Sequence, residues 1–117
     1  MFNNIYKNKK VLVTGHTGFK GSWLISWLVK LGANVVGVSK DIPTVPSMFK
    51  VLGLKDLIVS YQVDIRDLDK MTEIVFTEKP DFLFHLAAQP IVSASYDYPV
   101  ETISSNVVGT ANIMESL

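Results

Sequence analysis

Cysteine is absent from the 117-residue sequence, which excludes a disulfide framework, a thiolate zinc site and a thiol nucleophile. An excess of one charge is absent too: 11 Lys and Arg stand against 11 Asp and Glu, a formal net charge of zero. A chain that coats nucleic acid carries a basic excess or a clustered basic face, so no nucleic-acid partner is expected. Long apolar runs are missing as well. Behind Lys7, Lys9 and Lys10 only Val11-Leu12-Val13 precedes the polar Thr14-Gly15. A signal peptide needs about 7–15 apolar residues there, and a membrane span roughly 18. No membrane partner is expected, and the cytoplasm is the default location. No second His or carboxylate stands at ligand spacing from His16 or His85, so no metal is expected.

What is present is a globular composition, 48% hydrophobic and 19% charged. Short apolar runs alternate with amphipathic stretches, and the length fits about one domain over residues 1–117. Lys10–Thr14 (KVLVT), Asn34–Ser39 (NVVGVS), Asp56–Asp64 and Asp81–Ala87 (DFLFHLA) read as strands. Gly21–Leu31 reads as a helix that turns Trp23, Leu24, Trp27, Leu28 and Leu31 to one face, with Gly32 as its stop. Asp41–Ser47, with Pro43 and Pro46, reads as a loop leading into a short helix over Ser47–Leu52. Asp67–Glu78 is a helix stopped before Pro80, with Leu68, Met71, Ile74 and Val75 at helical spacing. Gln89–Tyr98 reads as a loop, and Pro99–Leu117 as a helix with Val100, Ile103, Val107 and Met114 inward. Strands alternating with helices give an α/β fold: a Rossmann-type, doubly wound parallel sheet whose first strands lie in the order 3-2-1-4. Such a sheet continues beyond its fourth strand. The sequence reads as the N-terminal part of a longer protein, and the fourth strand, apolar on both faces, as an aggregation-prone edge.

The chemistry-bearing motif is TGHTGFKG, directly between the first strand and the first helix. Gly15 permits the tight turn, Gly18 lets a pyrophosphate approach the backbone, and Gly21 lets the helix pack close. The helix start then offers free N–H groups and a positive dipole end to an anion. A bland glycine-rich turn is the alternative reading. A P-loop is excluded, because Lys20 precedes Gly21 instead of following it. The usual acid for a ribose, about 20 residues past the loop, is missing: Ser39 stands there, followed by Lys40 and Asp41. Local chemistry therefore leaves NADP open, since Lys40 would attract a 2′-phosphate. His16 reads as an exposed loop residue near the phosphates, or else a cofactor contact. His85, in an apolar strand, reads as a satisfied core or strand-end histidine rather than a base. Trp23 and Trp27 read as core packing. Ser95-Tyr96 reads equally as site or scaffold.

The blocks VLVTGHTGFKGSW (11–23), VDIRD (63–67), FHLAAQP (84–90), SYDYPVET (95–102) and NVVGTANIMES (106–116) resemble the extended short-chain dehydrogenases/reductases of the nucleotide-sugar branch. Within that branch Lys20, Ser22-Trp23 and AAQP resemble the CDP-glucose 4,6-dehydratases. The resemblance implies a lyase that uses NAD to convert CDP-glucose to CDP-4-keto-6-deoxyglucose. Hydride leaves sugar C4, water is lost across C5 and C6, and the hydride returns to C6. Carried over by position, the loop residues Gly15, Thr17, Gly18, Phe19, Lys20 and Gly21 would meet the pyrophosphate. Asp64 would accept from the adenine amino group, or else simply cap the turn after its strand, and Ile65 would pack nearby. Leu86, Ala87 and Ala88 would line the path to the nicotinamide, with Asn106 in support from the last helix. Family members commonly form homodimers. They also use a Tyr-x-x-x-Lys pair. Tyr6 and Lys10 have that spacing but lie before and at the very start of the first strand, away from the glycine loop, so no catalytic residue is assigned within 1–117, and this stretch alone is expected to be inactive. The alternatives are a non-catalytic NAD(P)-binding regulatory module or a different nucleotide-sugar epimerase or dehydratase.

Overall fold

A computed structural model describes residues 1–42 and 45–117; Pro43 and Thr44, in the expected loop, lie outside the described residues. Four strands alternate with helices: β1 (Lys10–Thr14), α1 (Phe19–Lys30), β2 (Asn34–Ser39), α2 (Met48–Val51), β3 (Val59–Gln62), α3 (Leu68–Glu78) and β4 (Phe82–His85). There follow α4 (Val92–Asp97), α5 (Pro99–Ile103), a π-helical turn (Ser104–Val108) and α6 (Gly109–Ser116). The sheet is wholly parallel in the order β3-β2-β1-β4, as the alternation requires. Leu12 of β1 lies opposite Val36 of β2 and Leu83 of β4.

Because side chains alternate along a strand, β1 feeds two cores. Val11 and Val13 pack with Ile25 and Leu28 of α1 and with Phe49 of α2. Leu12 packs on the other face with Met71 and Ile74 of α3 and Ile113 of α6. Full burial of a side chain of this size is worth about 1.5–3 kcal/mol, so the sheet is clamped from both sides. Local signals set the helix ends. Asp67 caps α3 by accepting from Lys70 N at 3.2 Å, and Lys79 ends it in the left-handed region with Pro80 behind. Ser47 caps α2 in the same way, through Lys50 N.

Several expectations are corrected. Trp23 and Trp27 are 59% and 46% exposed, not core. The inner face of α1 is Gly21, Ser22, Ile25 and Leu28, because a Cβ at Gly21 would stand 2.1 Å from the Gly15 carbonyl oxygen. Only small residues allow so close an approach, and the indoles are rotated outward. The last helix behaves alike. Gly109 lies against Ile65 and is buried with Ile113 and Ser116, while Val100, Ile103, Val107 and Met114 face outward. The expected loop over 89–98 contains α4, a six-residue helix with no apolar period to betray it. β3 and β4 are shorter than expected at both ends. The last helix is interrupted by the π turn rather than continuous.

Candidate functional site

A groove of about 700 Å³ opens at the carboxyl ends of the strands, where open parallel sheets bind ligands. Its floor is the glycine loop, Gly15 and Thr17 to Gly21. One wall is Ser39–Asp41 and Val63–Ile65; the other is Leu86–Ile91, with Glu101 from α5 and Ser105 from the π turn. Gly15, Thr17, Gly18, Phe19, Lys20, Gly21, Asp64, Ile65, Leu86, Ala87 and Ala88 are thus all brought together. Asn106 lies beside the groove and reaches it only through Gln89, whose backbone it holds.

The loop is built for close approach. Gly15 has φ of +76°, and a Cβ there would fall 2.8 Å from the Ala87 nitrogen. Gly18 is the N-cap of α1 and offers no capping side chain, so the first-turn N–H groups have no intrahelical partner. A Cβ at Gly18 would meet only the Gly15 carbonyl oxygen, at 3.5 Å. The space before the helix start is therefore free for a phosphate.

His16 is a correction. It is fully buried, not exposed, and does not line the groove. Its ring lies under the loop against Gly37, where a Cβ would come within 2.4 Å of it. It stacks edge-on to Phe49, and its Nε2 is 2.7 Å from Ser60 Oγ. Burial holds its pKa below the ordinary 6.5. His85 is satisfied, as expected. Its Nδ1 lies 2.6 Å from Thr14 Oγ1 and its Nε2 2.9 Å from Thr110 Oγ1.

Asp64 is held by Arg66. The guanidinium approaches Oδ2 to 2.6 Å and the Arg66 backbone N–H donates to Oδ1 at 2.9 Å. These hydrogen bonds keep the Asp64 carboxyl below the usual carboxylate range. Ser39 is buried, its hydroxyl 2.6 Å from that of Thr17 and 2.9 Å from the Asp41 carbonyl. Glu101 was not legible as a groove residue: it comes from α5 and pairs with Lys40 at 3.5 Å. Tyr96 is exposed and Ser95 donates to the Val92 carbonyl, neither in the groove. Tyr6 packs on Phe82, and Lys10 pairs with Glu78 at the opposite end of the sheet. Among the described residues no cluster fits a metal ion and no helix is long and apolar enough to cross a membrane.

Residues 12–117 match the family model described as GDP-mannose 4,6 dehydratase. The chain is 50% identical to a CDP-glucose 4,6-dehydratase of Salmonella typhimurium over 97% of its own length and 32% of that protein's. It spans about a third of the curated relatives it matches. An epimerase of Methanothermobacter thermautotrophicus superposes with a TM-score of 0.83 at 34% identity, over 97% of this chain and 32% of the other. The UDP-glucose 4-epimerase of Thermus thermophilus, solved in complex with NAD, does so with a TM-score of 0.81 at 28% identity, over 92% and 33%.

Proposed function

The chain belongs to the GDP-mannose 4,6 dehydratase family of nucleotide-sugar dehydratases and epimerases, and from that membership we propose that its groove holds NAD for a 4,6-dehydratase acting on CDP-glucose. The observation that carries the reading is the uncapped start of α1, with Gly18 open to the groove and no side chain where a pyrophosphate would sit. NAD supplies a hydride acceptor that becomes the hydride donor at the end of the cycle. This chain's residues bind and orient. The amides of Phe19 and Lys20 donate to the pyrophosphate, and the α1 dipole favours its charge. Asp64 accepts from the adenine amino group while sharing its oxygens with Arg66, and Ile65 packs beside the base. Leu86, Ala87 and Ala88 form an apolar wall that keeps water from the nicotinamide end.

The choice of CDP-glucose rests on Lys20, on Ala87-Ala88-Gln89-Pro90 and on the identity with the Salmonella enzyme. The protein works in the cytoplasm as a lyase and pairs with a second copy; the exposed stripe Val100, Ile103 and Val107 supports that pairing. Residues 1–117 by themselves give no turnover, because no Tyr-x-x-x-Lys pair stands at the groove among the described residues. The test is calorimetric titration of NAD into the protein expressed from its complete reading frame, followed by turnover of CDP-glucose, UDP-glucose and GDP-mannose. Saturable NAD binding with turnover of CDP-glucose alone is expected. Turnover of another sugar nucleotide in its place would overturn the substrate, and absence of binding the whole reading.

A further inference from the structure

The end of β2 lacks the acid that would favour a free ribose 2′-hydroxyl and repel a 2′-phosphate. Ser39 stands there, and its hydroxyl is engaged by Thr17 and the Asp41 carbonyl. The next residue, Lys40, is a cation on the same groove wall, and alone it would attract a 2′-phosphate. It is not alone. Glu101, from α5 across the groove, brings Oε1 to 3.5 Å from Lys40 Nζ. Both side chains are half-exposed, 50% and 49%, so a ligand can reach them. Asp64 and Arg66 form a second pair close by, at 2.6 Å. At this end of the groove both cations are therefore matched, Lys40 by Glu101 and Arg66 by Asp64, and Asp41 adds a third carboxylate on the Lys40 wall.

We propose that Glu101 sets the selectivity of the groove for NAD over NADP, by pairing with Lys40 and cancelling the cation that a 2′-phosphate would meet. The inference rests on the reading that the groove binds a dinucleotide. A phosphate monoester carries a charge of about −1.5 to −2 at neutral pH. Against the matched pairs it gains no net attraction, and it must compete with a carboxylate already seated on the ammonium. An uncharged 2′-hydroxyl meets no such opposition. The acidic selector is thus supplied from a distant helix rather than from β2 itself.

The test is calorimetric titration of NAD and NADP, separately, into the protein from its complete reading frame and into Glu101→Gln, Lys40→Met and the double variant. Circular dichroism checks that each folds, which half-exposed positions should permit. Glu101→Gln is expected to tighten NADP by about threefold or more, a size fitting a partly screened charge, with NAD little changed. Lys40→Met is expected to weaken NADP, and the double variant to return the ratio towards that of the parent. An NADP/NAD ratio unmoved or lowered by Glu101→Gln, while the parent binds NAD, overturns the role of Glu101 and leaves the dinucleotide reading intact. A parent that binds neither nucleotide overturns both.

Discussion

Asn106 grips the backbone of Gln89 from both sides. Its Oδ1 accepts from Gln89 N at 2.7 Å, and its Nδ2 donates to the Gln89 carbonyl at 3.1 Å. Gln89 lies just past β4, where the chain becomes the groove wall. Its own side chain donates to Thr102 Oγ1 and accepts from Ile91 N. The π turn over Ser104–Val108 is what carries Asn106; such turns are frequent at functional sites.

Asn106→Ala leaves a part-buried N–H and C=O without partners, and each such loss costs about 1–3 kcal/mol at full burial. A loss of about 1–2 kcal/mol in urea unfolding is expected, with weaker NAD binding because the wall loosens. Unchanged stability together with unchanged affinity would show that the grip holds nothing the groove needs.

A pH dependence follows from Thr14 and His85. Thr14 Oγ1 accepts N–H groups from Leu86 and Ala87, both at 3.1 Å, so its own proton goes to His85 Nδ1. His85 Nε2–H then donates to Thr110, whose hydroxyl donates to the Asn106 carbonyl. The ring is neutral, and burial lowers its pKa, as it does for His16. The unfolded chain, with both groups near 6.5, therefore takes up protons first as pH falls. Stability is full above that value and declines below it until the folded pKa values are passed. Urea midpoints at about pH 7.5 and about pH 5.5 should fall in that order, and His85→Gln should flatten the slope. A midpoint that rises on acidification would contradict the neutral ring.

Gly15 and Gly18 answer to different constraints. Gly15→Ala forces a side chain into the left-handed region, which costs about 1–3 kcal/mol, and onto the Leu86–Ala87 backbone at 2.8 Å. Thermal unfolding should show a clear destabilisation even without nucleotide. If Gly15→Ala melts like the parent, the contact with Ala87 is not tight.

Much of this was legible because the signals are local. KVLVT and NVVGVS are apolar on both faces, and the strands occupy the residues those runs mark. The glycine triplet lies between strand and helix, which ties it to one end of the sheet. What was not legible depends on tertiary distance. The inner faces of α1 and α6 are chosen by Gly21 and Gly109, where backbone and Ile65 come too close for larger residues. Ranking residues by hydrophobicity picks Trp23 and Val100 instead. His16 is buried because Gly37, on the neighbouring strand, leaves room for its ring. Lys40 and Glu101 meet across the groove, and no spacing along the chain announces that pair.

The central claim is that the open side of Gly18 receives a pyrophosphate. The direct measurement is calorimetric titration of NAD into the parent and into Gly18→Val, with circular dichroism and thermal melting beside it. Because a Cβ at Gly18 meets only the Gly15 oxygen, at ordinary contact distance, the variant should fold and melt much as the parent does. Its NAD affinity should fall by at least about tenfold, or about 1.4 kcal/mol. A folded Gly18→Val protein that binds NAD as tightly as the parent would contradict the account.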